Sequence, residues 1–286
     1  MTGADHAPSR HRRAERNAGP HGTPWPLPLA LATVMVAWAA GAGAQPTPAP
    51  YEPEVGQGGK DVIWVPTPPA LVETMLDLAR VTRNDLVIDL GSGDGRNVIA
   101  AAKRGARAIG IEFNPEMVAL ATRLADEAGV AGRTTFIEGD MFTADISKAT
   151  VMALFLLPTN LEQLREKFLA LAPGTRIVLN TFTVPDWLPD EKADLGENCA
   201  SWCTALLYYV PAPVAGRWTT VRGELTLTQE FQVVAGTLAM DGRITPVSGR
   251  LHGTALTLDV DGETLQTTVL GDRLDGPQLS GARARP

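Results

Sequence analysis

The chain has 286 residues, 44% of them hydrophobic and 20% charged, enough for a packed core of one large or two small domains. Its 25 basic and 32 acidic residues leave a net charge of −7, which argues against a duplex-binding surface, and no nucleic-acid partner is expected. Two cysteines, Cys199 and Cys203, with no histidine near them in sequence, give no metal site, and a strand through them predicts two unpaired thiols; pairing requires an oxidising compartment and a backbone that is not extended.

The first 44 residues read as a targeting segment. Arg10, Arg12, Arg13 and Arg16 form a charged start, Leu27–Ala40 is an uncharged apolar run, and Ala42-Gly43-Ala44 resembles a cleavage site before Gln45. The run is short for a membrane span. A cleaved signal peptide is favoured over an uncleaved anchor that would associate the chain with a membrane, or over a misplaced start. The chain is then exported or envelope-associated, and otherwise cytoplasmic. Residues 45–60, rich in proline, glycine and glutamine, read as a linker.

Residues 61–213 carry the pattern of alternating strands and helices that predicts a parallel sheet covered on both faces. A helix is expected from about Ala70 to Arg80, with Thr67 as its cap and prolines in its first turn. Strands follow at Leu86–Leu90, Ala106–Ile111, Thr134–Ile137, Val151–Leu156 and Arg176–Asn180. Helices are expected over Arg96–Lys103, from Asn114-Pro115 to about Ala128, and from about Asn160 to Leu171. Beyond Pro211, segments Glu224–Leu238, Arg243–Leu251, Thr254–Val260 and Thr264–Leu270 are rich in Thr, Val and Leu, and Asp241-Gly242 and Asp261-Gly262 signal hairpins. Residues 214–286 therefore read as an antiparallel β-rich extension.

Between the first strand and the second helix stands Asp89-Leu90-Gly91-Ser92-Gly93-Asp94-Gly95. Strand, glycine loop and helix in that order build a nucleotide-type corner, where a ligand meets backbone N–H groups at a helix start. No glycine lies three residues after Gly93, so the dinucleotide fingerprint is not met, and no Gly-Lys-Ser/Thr is present for a P-loop. The second strand runs into Glu112, about 20 residues beyond the glycines, where such a corner sets a ribose-binding acid. The third runs into Glu138-Gly139-Asp140-Met141-Phe142. Acids at three successive strand ends repel a polyphosphate. They suit a ligand with hydroxyls, an amino group and a cationic centre, and S-adenosylmethionine has all three.

On these residues the chain resembles the class I S-adenosylmethionine-dependent methyltransferases, which implies a Rossmann-like sheet with helices on both faces. The resemblance implies that Asp89, Gly91, Ser92, Gly93 and Gly95 border the methionine portion, that Glu112 binds the ribose hydroxyls, and that Asp140 binds the adenine amino group with Met141 and Phe142 flanking the ring. Trp64-Val65-Pro66-Thr67, the loop through Arg96, and Leu154-Phe155-Leu156-Leu157-Pro158 are similar to the lysine methyltransferases of mitochondrial inner-membrane proteins and to their bacterial relatives. The targets of that group are the c-ring protein of ATP synthase and the adenine nucleotide carrier. This likeness spans about residues 60–210, and the N-terminus and the β-rich tail depart from it.

Acceptor-site candidates are Trp64, Pro66, Thr67, Phe155, Pro158, Asp186 and Trp187, the last offering an aromatic face to a cationic amine. The competing structural roles are core packing for Trp64, a helix cap for Thr67, and packing beneath the tail for Trp187. The sequence names no general base. Protein-lysine methylation, small-molecule methylation with the tail as a lid, and a non-catalytic envelope protein of the same fold are the readings it leaves. Export sets the third apart, because S-adenosylmethionine is made in the cytosol.

Overall fold

A computed structural model describes residues 51–284, apart from 197, 198 and 200. The signal-like segment 1–44 lies outside the described residues. In chain order the elements are α1 (Pro69–Leu78), β1 (Leu86–Leu90), α2 (Arg96–Lys103), β2 (Arg107–Glu112), α3 (Pro115–Glu127), β3 (Thr134–Glu138), β4 (Val151–Leu154), α4 (Pro158–Leu169), β5 (Arg176–Asn180), β6 (Glu191–Asp194) and β7 (Thr204–Tyr209). These strands form one sheet in the order β3-β2-β1-β4-β5-β7-β6. The first five are parallel, and the order reverses between β1 and β4, the point at which open α/β sheets bind ligands.

The sheet is buried on both faces because alternate residues point to opposite sides. Ile88 and Leu90 of β1 meet Leu161, Leu164 and Phe168 of α4 on one face. Val87 meets Leu71, Val72, Met75 and Leu76 of α1, with Val98 and Ala101 of α2, on the other. The sheet is not purely parallel, as expected from the alternation, because β7 runs antiparallel to both β5 and β6. This hairpin edge lies in a stretch without an intervening helical period. Thr67 does not cap α1: the N-cap is Pro68 with no side-chain bond, and the Thr67 hydroxyl instead accepts from Asn180 Nδ2 at 3.2 Å. Asn114 does cap α3, its side chain accepting from the Glu116 N–H at 2.9 Å. The two cysteines, expected as free thiols, form a disulfide, Cys199–Cys203. Cys199, Trp202 and Cys203 lie outside any strand, Trp202 has φ 58°, and the two cysteine Cα atoms are 5.8 Å apart.

The tail closes on itself. Strands β8 (Gly216–Thr220), β9 (Gly223–Glu230), β10 (Val233–Met240), β11 (Arg243–His252), β12 (Ala255–Val260), β13 (Glu263–Leu270), β14 (Arg273–Asp275) and β15 (Gly281–Arg283) form an antiparallel barrel. The segment Glu224–Leu238, which reads as one run, is two strands joined at Phe231-Gln232, a turn with no glycine to mark it. Inward positions hold Trp218, Leu225, Leu227, Val247, Leu258 and Leu265, so the barrel is a filled core of its own. It is seated on the α/β domain through Trp187, stacked on Phe231 at 5.6 Å, and through the Arg250–Asp190 ion pair at 2.9 Å.

Candidate active site

The glycine loop hangs on the end of β2: the N–H groups of Gly91 and Ser92 both donate to the Ile111 carbonyl, at 2.8 and 3.0 Å. Gly93 adopts φ 54° and lies so close to Trp64 that a Cβ would stand 2.8 Å from the indole nitrogen. Gly95, at φ 78°, caps α2, and a Cβ there would stand 2.6 Å from Phe136. Gly93 therefore serves close approach at the cleft, and Gly95 serves helix-to-sheet packing.

Asp89 is buried at the end of β1 and accepts a hydrogen bond from Asn97 Nδ2 at 3.1 Å. Burial pushes its carboxyl well above the usual range; the Asn97 bond opposes this, and the negative charges of Glu112 and Asp94 add to it. Glu112 accepts from the Gly93 N–H at 2.9 Å with one oxygen and from the Asn114 N–H at 3.0 Å with the other. Asp140 accepts from the Phe142 N–H at 2.8 Å and from Lys60 Nζ at 2.6 Å. The Lys60 bond, with the Phe142 N–H behind it, holds the Asp140 carboxyl below its ordinary range.

The three acids thus converge on one cleft in two joined compartments. Asp89, Gly91, Ser92, Gly93 and Glu112 line the first, together with Trp64, Pro66, Thr67 and Phe155. Glu112, Asp140, Met141, Lys60 and Phe113 line the second. Phe142 is half-buried and packs against the core behind Met141. Residues 56–64, within and just beyond the expected linker, fold over the cleft as a hairpin-like strap: Gly56 and Trp64 each donate across it, and Gly58 bridges to Ile63.

Three acceptor candidates do not reach the cleft. Pro158 is exposed at the first turn of α4, and Asp186 is an exposed partner of Arg165 at 3.4 Å. Trp187 is not on the rim: it is 1% exposed, because Phe231 of the barrel stacks on one face and Tyr208 meets it edge-on.

Several lining groups escape sequence reasoning. Arg96 grips Asp94 through Nε at 2.9 Å and donates to the Thr67 carbonyl at 2.7 Å, tying the start of α1 to the glycine loop. Asn97 leaves its Oδ1 without a partner, and so does Ser92 its Oγ, both buried beside the cleft. Arg96 was signalled by its place at the end of the family motif, and Asn97 only by its position next to the loop. Lys60 and Phe113 carried none, since their meeting, with the ammonium 5.1 Å from the ring centre, is made by the strap.

The model of the ANTKMT methyltransferase domain family matches residues 89–191. The chain is 43% identical over 133 residues to a protein-lysine N-methyltransferase of Saccharolobus islandicus, covering 46% of this chain and 83% of that protein. It is 37% identical over 134 residues to the lysine N-methyltransferase of Mus musculus named for the c-ring protein of ATP synthase, covering 46% of this chain and 54% of that protein. Among solved structures, an RNA methyltransferase from Salinibacter ruber in complex with S-adenosyl-L-homocysteine is 45% identical, with 52% of this chain and 96% of that chain covered and a TM-score of 0.49. The chain thus spans most of the archaeal relative and about half the length of the murine one.

Proposed function

The chain belongs to the ANTKMT methyltransferase domain family, and from that membership we propose that it methylates the ε-amino group of a lysine in a protein, with S-adenosylmethionine as donor. The observation that carries this reading is the convergence of Asp89, Glu112 and Asp140 on one cleft beside the glycine loop.

The residues present fit that cofactor. Two buried polar atoms without partners, Ser92 Oγ and Asn97 Oδ1, stand beside the cleft for the cofactor's polar groups, and the Glu112 and Asp140 carboxylates give the cleft the negative charge that suits a cationic cofactor. When bound, S-adenosylmethionine supplies an electrophilic methyl group. Glu112 is poised for the ribose hydroxyls while its backbone bonds fix the loop. Asp140, with Phe113 and Met141 beside it, is poised for the adenine. Asp89 and the loop face the methionine end. Phe155, Thr67 and Trp64 border the side from which an acceptor amine approaches. The acceptor's ε-ammonium must lose its proton to solvent before the freed lone pair attacks the methyl group, and the chain's own part is alignment and exclusion of water at that attack.

A protein acceptor is supported by the lysine methyltransferase relatives. An oxidising compartment outside the cytosol is supported by the Cys199–Cys203 disulfide together with the signal-like segment, which also offers a means of membrane association. The test is incubation of the full chain with methyl-labelled S-adenosylmethionine and separate membrane-protein, soluble-protein, RNA and small-molecule fractions. Label is expected on a lysine of a protein, located by tandem mass spectrometry. Label confined to the RNA or small-molecule fraction would overturn the lysine assignment, and N-terminal sequencing of the chain from fractionated cells checks the compartment.

A further inference from the structure

Three aromatic rings from three separate loops meet at the ligand end of the sheet. Phe155 follows β4, Phe182 follows β5, and Trp202 precedes β7. Phe155 and Phe182 stack with ring centres 6.0 Å apart, and Trp202 lies 5.5 Å from the first and 5.3 Å from the second. All three are half-buried, unlike the aromatic residues of the core, and Phe155 also lines the cleft beside Asp89. The rings therefore form one packed aromatic wall, of which Phe155 borders the cofactor cleft.

The backbone carrying this wall is held in unfavourable conformations. Thr181, just before Phe182, has φ 60°, and Trp202 has φ 58°. Left-handed backbone at a non-glycine residue is costly and persists where its surroundings enforce it, commonly at ligand sites. Two ties enforce it here. The Thr181 N–H donates to the Thr204 carbonyl at 2.8 Å, and the Cys199–Cys203 disulfide closes a short loop around Trp202.

Aromatic faces are electron-rich and attract alkylammonium groups, methylated or not. Resting on the methyltransferase reading of the cleft, we propose that Phe155, Phe182 and Trp202 form the wall that receives the acceptor's alkylammonium group, and that the Cys199–Cys203 disulfide stakes the third ring in place, so that the wall is complete only in the oxidised chain. A dithiol reverses this: it passes two electrons and two protons to the cysteine sulfurs, the S–S bond breaks to give two thiols, and the dithiol becomes its own disulfide. Trp202 then loses the covalent tie that holds it against Phe155 and Phe182.

The experiment uses the full chain with n-butylammonium as a lysine side-chain probe and n-butanol as its neutral counterpart, binding being followed by the broadening of each probe's own NMR signals, which every variant can report. Affinity for S-adenosylhomocysteine is measured in parallel by calorimetry. The oxidised chain should bind n-butylammonium about tenfold more tightly than n-butanol, and the dithiol-treated chain, Cys199→Ser and Trp202→Ala should each lose about that factor. Trp202→Phe, which keeps a ring, should stay within about threefold of the parent, and S-adenosylhomocysteine affinity should hold within about twofold throughout. Equal n-butylammonium affinity in the oxidised, reduced and Trp202→Ala chains would overturn the proposal, as would equal binding of n-butanol. Absence of S-adenosylhomocysteine binding from every form would refute the methyltransferase reading instead, and is read separately from the ammonium result.

Discussion

Replacing Glu112 with alanine should weaken S-adenosylhomocysteine binding by far more than it weakens the fold. Each Glu112 oxygen already accepts one backbone N–H, from Gly93 at 2.9 Å or from Asn114 at 3.0 Å. A carboxylate oxygen has a second lone pair, so the same group can take two ribose hydroxyls without releasing the loop. Two charge-assisted bonds of about 1.5 kcal/mol each amount to about 3 kcal/mol, or about 150-fold in Kd. Glu112→Gln is the sharper probe. Its amide has one acceptor oxygen, so one of the two backbone N–H groups faces a donor, and about a tenfold loss is expected. Calorimetry reads the affinity and urea unfolding checks the fold. An alanine variant that stays folded and binds within about threefold of the parent would refute the ribose assignment and leave Glu112 as a loop support only.

Asp85 is held below the ordinary carboxylate range: burial pushes it up, but bonds from the Thr82 N–H and the Thr150 hydroxyl, with the charge of Arg176, outweigh this. A depressed folded value contributes stability that is present above the unfolded pKa of about 3.9 and is lost as pH falls through the folded value. Urea midpoints should therefore drop below about pH 4, and Asp85→Asn should flatten that slope while costing about 3 kcal/mol at neutral pH; an unchanged slope would refute the linkage. Gly95→Ala should cost about 3 kcal/mol, from the left-handed backbone and the clash with Phe136, and a loss below about 0.5 kcal/mol would contradict the packing argument. Trp187→Ala should cost about 4 kcal/mol of stability with acceptor KM unchanged; an altered KM at full stability would return Trp187 to the acceptor rim.

The cofactor corner was legible because it is local. Asp89 through Gly95, Glu112 and Asp140 are each a strand end plus a few residues, and parallel strands in register carry such ends to the same edge of the sheet. Strand β5 and helix α2 were read to the residue from their apolar patterns. The hairpin edge β6–β7 was missed because Glu191–Asp194 is a short polar strand whose place is fixed by pairing with β7, not by its own hydrophobicity. For Trp187 the sequence left two roles, acceptor rim or packing beneath the tail, because an aromatic just beyond a strand suits both, and Phe231, 44 residues on, decides for the seam.

The sequence by itself determined the class of ligand, because acid spacing and glycine placement are properties of contiguous segments. It also determined that the tail is antiparallel β, because Asp-Gly turns and alternating Thr, Val and Leu are local too. Only the tertiary structure decided that the tail closes into a barrel, that Lys60 stands on Asp140, and that Phe155, Phe182 and Trp202 share one wall. Each of these depends on contacts between segments far apart in the chain, whose partners no single stretch of sequence specifies.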